Sequence, residues 1–291
     1  MNGILNVDKP VGWTSHDVVA KLRGALKIKR IGHGGTLDPM ATGVLPVFVG
    51  SATRTAEFCE NAEKEYIAGL RLGIVTDTQD ITGRILSEID VSVSTYELSD
   101  ILKSFIGAQK QTPPMYSAIK QNGKKLYELA RSGVEVPRQP RDIFISAIEL
   151  LDSGGCEFFI RVACSKGTYI RTLCHDIGAS LGCGGTMSSL RRTKAGVFTI
   201  DIAQTLDVIL AAASSGSIHN HMLPVDSIFS EYPAKTLSAD ETRKFRSGAA
   251  SRPGNCPDGK YRFYGPDNEF LLLGSVTNEV ISVTKRFFGQ L

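Results

Sequence analysis

Apolar positions switch repeatedly between strand and helix spacing along the first 200 residues. Residues 4–7, apolar but for Asn6, read as a short strand, and the turn through Pro10 and Gly12 offers Thr14 or Ser15 as a helix N-cap. Val18, Val19, Leu22, Ala25 and Leu26 follow at helical spacing, with cations at Lys21, Arg23, Lys27, Lys29 and Arg30. A glycine-rich break at 32–35 comes next, then strands over 44–49 and 66–72 around a short helix near Ala56. In 66–72 the alternation is clear: Tyr66, Ala68, Leu70 and Leu72 share one face, Ile67, Gly69 and Arg71 the other. The run TDTQDITG (76–83) reads as a loop, 96–105 as a helix, 113–114 as an extended opening, and 124–131 as a short helix ending near Gly133. Strands at 143–151 and 157–164, a helix from about 169 to 181 and a strand near Leu190 complete a mixed α+β pattern.

The pattern changes after residues 214–220 and 224–233, a polar and proline-marked boundary. Beyond it, Ser238 and Glu241 form a capping box before a short helix, and 261–264, 270–274 and 280–284 read as strands. The expectation is a large domain over 1–228 and a small β-rich domain over 232–291. No fixed-period repeat interrupts either part.

Composition narrows the class. The 291 residues are 42% hydrophobic and 22% charged with a net charge of +3, which excludes a disordered chain or a polycation. No signal-peptide pattern and no membrane-length apolar run occur, so the expected location is cytoplasmic, with no membrane association and no protein partner implied. Six scattered cysteines without a C-x-x-C pair suit reduced, buried thiols better than a disulfide framework or a zinc site, and no metal is expected. Charge is locally concentrated: residues 109–141 hold seven cations (Lys110, Lys120, Lys124, Lys125, Arg131, Arg138, Arg141) against Glu128 and Glu135. Such a stretch is either a solvated surface or a phosphate-contacting flap.

The densest candidate for chemistry is GHGGTLDP at 32–39, where Asp38 precedes a proline; alone, Asp-Pro favours a turn, and the glycines match no phosphate-binding loop. Gly178-x-Ser180-x-Gly182 has the spacing of a nucleophile elbow but lies at the end of a helix, and Ser117-x-x-Lys120 lacks its companion motifs. Cys174, His175 and Cys183 do not supply four ligands.

Lys9-Pro10-x-Gly12-x-Thr14-Ser15, GHGGTLDP, Gly43-x-Leu45-Pro46, Lys64-Glu65-Tyr66, Thr76-Asp77-Thr78, Pro114-Met115-Tyr116-Ser117-Ala118, Gly167-Thr168-Tyr169-Ile170-Arg171 and Leu190-Arg191-Arg192 occur in that order. Together they closely resemble bacterial tRNA pseudouridine(55) synthases of the TruB type, over roughly the first 200 residues. The resemblance implies a pseudouridine synthase fold, with a central mixed, mainly antiparallel sheet flanked by helices. It also implies isomerisation of a tRNA T-arm uridine after base flipping, with no cofactor. It makes Asp38 the catalytic carboxylate, Tyr66 the tyrosine packed on the target base and Arg171 the partner of the aspartate. His33, Tyr169 and Leu190 become substrate-binding positions. The 109–141 stretch becomes an RNA-clamping insertion, in which Lys124, Lys125, Arg131 and Arg141 contact RNA. The tail opening LSADETRKFRSG resembles a PUA-type RNA-binding domain. Members usually carry Thr where this chain has Gly34. A non-catalytic RNA-binding protein, or a synthase for another RNA site, is the alternative; the Asp38, Tyr66, Arg171 trio discriminates, because a pure binder gains nothing from a carboxylate facing RNA.

Overall fold

The computed structural model describes residues 1–121, 123–247 and 256–287. Its centre is a mixed sheet of ten strands. Across the sheet run Gln204–Thr205, Gly3–Lys9, Thr42–Val49, Gly185–Ala195, Lys64–Leu72, Glu157–Cys164, Arg141–Gly154 and Gly107–Gln111, with Ile31–His33 and Phe198–Thr199 attached at the side. Neighbours are antiparallel except at two places, Gly3–Lys9 with Gln204–Thr205 and Thr42–Val49 with Gly185–Ala195.

Strand Thr42–Val49 is buried along almost its whole length because both faces of the sheet are covered. On one face Leu5, Val7, Leu45 and Val47 pack with Val18, Val19 and Leu22 of helix Ser15–Leu26. Helices Thr95–Ser104, Ile170–Ser180 and Leu206–Ser215 add to the same core through Leu98, Leu173 and Ile209. On the other face Ile4, Val44 and Phe48 meet Cys59, Phe198 and Phe229. Helix Ser15–Leu26 starts where its cap chemistry dictates: Thr14 accepts from the Asp17 amide, and Asp17 reaches back to the Thr14 backbone.

A second, four-stranded sheet (Ala234–Thr236, Gly259–Tyr264, Phe270–Thr277, Val280–Arg286) makes the C-terminal part β-rich. Ser238 and Glu241 form the expected capping box at the head of helix Ala239–Arg246, and Phe245, Phe263 and Leu272 share a small core. Gly248, the last residue of LSADETRKFRSG, lies outside the described residues. Phe229 joins the two sheets, meeting Phe58 edge-on at 4.9 Å and Phe270 at 6.1 Å.

Three differences from the expected elements have physical reasons. Residues 124–131 are not all helix: Lys124–Lys125 pair with Lys120–Gln121, and the helix begins at Leu126. Ile74–Thr76 and Ile85–Glu88 form a hairpin around the expected loop; the second strand is exposed on both faces and therefore carries no alternation to read. Helix Leu206–Ser215 does not stand out in the pattern either, because its exposed side carries Val208 and Ala211 and so blurs the contrast with the buried Leu206, Ile209 and Ala212.

Candidate active site

Arg171 lies at the start of helix Ile170–Ser180 and is 6% exposed, so its charge must be matched from inside. Nε sits 3.1 Å from Asp38 Oδ2, and Nη1 sits 3.3 Å from Asp80 Oδ2. The same guanidinium donates to the Tyr116 carbonyl at 2.9 Å and the Thr78 carbonyl at 3.4 Å. One fork thus ties together the Asp38 loop, the 76–83 loop and the root of the basic stretch. Asp80 is itself held by the hydroxyls of Thr78 and Thr82 and by the Thr82 amide.

The Asp38 loop is anchored at nearly every residue. The Leu37 amide donates to Ser15 Oγ at 2.8 Å, and the Pro39 carbonyl accepts from the Gly12 amide at 2.8 Å and from Lys9 Nζ at 3.4 Å. Arg192, 1% exposed, donates to the carbonyls of Gly35 (3.0 Å) and Val44 (2.7 Å). Lys9 is fully buried as well, and desolvation lowers its pKa to about 8. Lys9, Thr14 and Ser15 therefore hold the loop from below and cap the adjoining helix.

Asp38 keeps 37% of its side chain open to a cleft of about 930 Å³. Burial raises its pKa above the ordinary 3.8; Arg171 opposes that shift and Asp80 adds to it. Tyr66, at the head of strand Lys64–Leu72, lines the cleft, and burial pushes its hydroxyl pKa up against the pull of Arg192. Tyr169 faces the same space; its backbone N–H and C=O are both engaged by the Gln111 side-chain amide, at 2.8 and 3.0 Å. Leu190 and His33 complete the lining, and desolvation lowers the pKa of His33, favouring its neutral form.

Lys125 and Arg131 reach the rim, 5.3 and 5.5 Å from the Tyr127 ring centroid. Lys124 is exposed outside the cleft, and Arg141 begins strand Arg141–Gly154 opposite Gln111. Three contributors escaped the sequence reading: Asp80, Gln111 and Arg192. Asp80 sits two residues beyond the Thr76-Asp77-Thr78 motif and Arg192 within a quoted one, so proximity to a motif was the available signal.

The rival motifs have other uses. Ser180 is exposed at a helix end, and a side chain on Gly178 would lie 2.1 Å from the Gly185 amide, so Gly178 lets the helix press onto the sheet. No cluster of three or more potential metal ligands occurs among the described residues. No described helix is long and apolar enough to cross a membrane.

Known proteins carry the same pattern. A model of the TruB family pseudouridylate synthase N-terminal domain matches residues 23–170, and a model of the tRNA pseudouridylate synthase B C-terminal domain matches 171–230. The chain is 50% identical over 238 residues to tRNA pseudouridine synthase B of Alkaliphilus oremlandii, covering 82% of this chain and 77% of that one. It is 40% identical to the protein of that name in Clostridium kluyveri, over 99% and 100% of the two chains. Among solved structures, a Cbf5-Nop10-Gar1 complex contains a chain that superposes with a TM-score of 0.75 at 28% identity, over 98% of this chain and 85% of that one. Agreement in sequence along nearly the whole length, and in fold, places this chain in the TruB family of pseudouridylate synthases.

Proposed function

We propose that the protein isomerises a uridine of tRNA to pseudouridine, at position 55 in the T loop, with Asp38 as the catalytic carboxylate. The observation that carries this reading is the Asp38–Arg171 pair at the floor of a cleft wide enough for a nucleotide and lined by Tyr66, Tyr169 and Leu190. The target base must leave its stack to reach that floor, at a cost of a few kcal/mol. The reaction breaks the bond from N1 to C1′ and forms one from C5 to C1′; N1 gains a proton and C5 loses one, with no redox change and no net hydrolysis. Arg171 opposes the desolvation that raises the Asp38 pKa and so favours its ionised form. Tyr66, whose neutral hydroxyl is further favoured by burial, presents a ring for the detached base to stack on.

Residues 1–228 form the catalytic domain in this reading. The 109–141 stretch clamps the T arm through Lys124, Lys125, Arg131 and Arg141, and 232–291 serves as a PUA-like RNA-binding domain. The test incubates the protein with unmodified tRNA, maps pseudouridine by chemical modification and primer extension, and follows tritium release from C5-labelled uridine. Wild type should mark position 55, whereas Asp38→Asn should bind tRNA and release no tritium. Full activity in Asp38→Asn would remove Asp38 from the mechanism.

A further inference from the structure

Gly34 stands at the foot of the Asp38 loop with no positive φ to require a glycine. Its reason is steric. A Cβ built there would lie 2.7 Å from Cys59 Sγ, 2.9 Å from Cys59 Cβ and 2.8 Å from Phe48 Cε2, closer than side-chain carbons approach in real structures. Neither neighbour has room to yield. Phe48 is fully buried and Cys59 is 1% exposed. Phe48 is fixed in strand Thr42–Val49 opposite Gly32, and Cys59 in helix Ala56–Asn61, whose last carbonyls are gathered by Lys64 Nζ. The loop in turn has no slack between Gly34 and Asp38. The Gly34 amide donates to the Pro46 carbonyl at 2.9 Å, Arg192 holds Gly35 and Thr36, and Ser15 holds Leu37.

We infer that Gly34 is a positioning residue for the reaction: its contact with Cys59 and Phe48 sets how deeply the Asp38 loop seats beside Arg171. The Cys59 thiol, pushed up to about 11 by burial, acts there as an uncharged filler rather than a reactive group. An added methyl would lift the loop by a few tenths of an ångström or more, and misplacement of that order separates the carboxylate from its cation and from the glycosidic bond.

The inference rests on the proposed activity, so wild type must first form pseudouridine; its failure to do so would sink that reading rather than this one. In Gly34→Ala, the single-turnover rate on tRNA should fall by about 10- to 100-fold, with tRNA affinity within about two-fold. The acid limb of its pH–rate profile should move to higher pH as Arg171 loses its hold on Asp38. The double variant Gly34→Ala/Cys59→Gly, in which the lost thiol and its Cβ leave space both for the new methyl and for the Phe48 ring to move off it, should recover the rate of Cys59→Gly alone. Cys59→Val, overpacking the contact from the other side, should reproduce the slow rate and gives the readout should Gly34→Ala fail to fold. A folded Gly34→Ala or Cys59→Val with the wild-type rate would overturn the inference. So would a folded double variant as slow as Gly34→Ala.

Discussion

Burial gives Asp38 a response to acid that is opposite to that of a salt-bridged surface carboxylate. A carboxylate whose pKa is raised in the folded protein binds its proton more readily there than in the unfolded chain, so its contribution to stability is greatest below 3.8 and is lost as pH rises through the folded value. Once ionised, Asp38 is therefore a cost to the fold, and one that the proposed chemistry requires. Asp38→Asn should melt no lower than wild type at pH 7, and the difference should vanish below pH 3.8, as thermal denaturation over a pH series would read. Asp80 makes this substitution tolerable, since Arg171 keeps one buried carboxylate partner. Asp80→Asn removes a neighbouring negative charge that raises the Asp38 pKa, so the acid limb of the pH–rate profile should shift to lower pH. Asp38 drew notice only because motifs surround it, whereas Asp80 looked like one more polar residue of a loop. Its burial depends on an arginine 91 positions away, a relation that local pattern does not encode.

The basic stretch grows from the sheet edge: Gly107–Gln111 is the terminal strand, and Arg141–Gly154 returns beside it. Not all its charge is available to a ligand, because Lys110 pairs with Asp142 and Arg138 with Glu135. Lys125 and Arg131 instead bracket Tyr127 at the rim of the cleft. Replacing Lys124, Lys125 and Arg131 together by Ala should weaken tRNA binding and flatten the slope of log K against log salt by about 2. An unchanged slope in a filter-binding titration would return this element to ordinary surface. At this scale the hydrophobic pattern located most strands and helices because each has one face in a core. It failed where an element is exposed all round, as Ile85–Glu88 is, or where apolar residues also occupy the exposed side, as Val208 and Ala211 do in Leu206–Ser215.

Across the molecule, the two sheets meet through aromatic side chains that no motif announces. Phe229 lies between Phe58 on the side of the main sheet and Phe270 and Phe287 on the C-terminal side. Phe229→Ala should cost about 3–5 kcal/mol of stability and loosen the C-terminal sheet's seat on the rest of the protein. Calorimetry would check the first effect and limited proteolysis between residues 224 and 233 the second. A single wild-type-like transition would mean that the aromatic cluster does not hold the two parts together. The main sheet has a further consequence, in the order of synthesis. Thr42–Val49 meets Gly185–Ala195 only at Thr42 and Gly43, opposite Arg191 and Arg192, residues made roughly 150 positions later. At about 5–20 residues per second the ribosome adds them roughly 7–30 s after the strand's start. In that interval Gly3–Lys9 and Ile31–His33 already flank the apolar end of the strand, so it is the end next to the Asp38 loop that is finished last during synthesis.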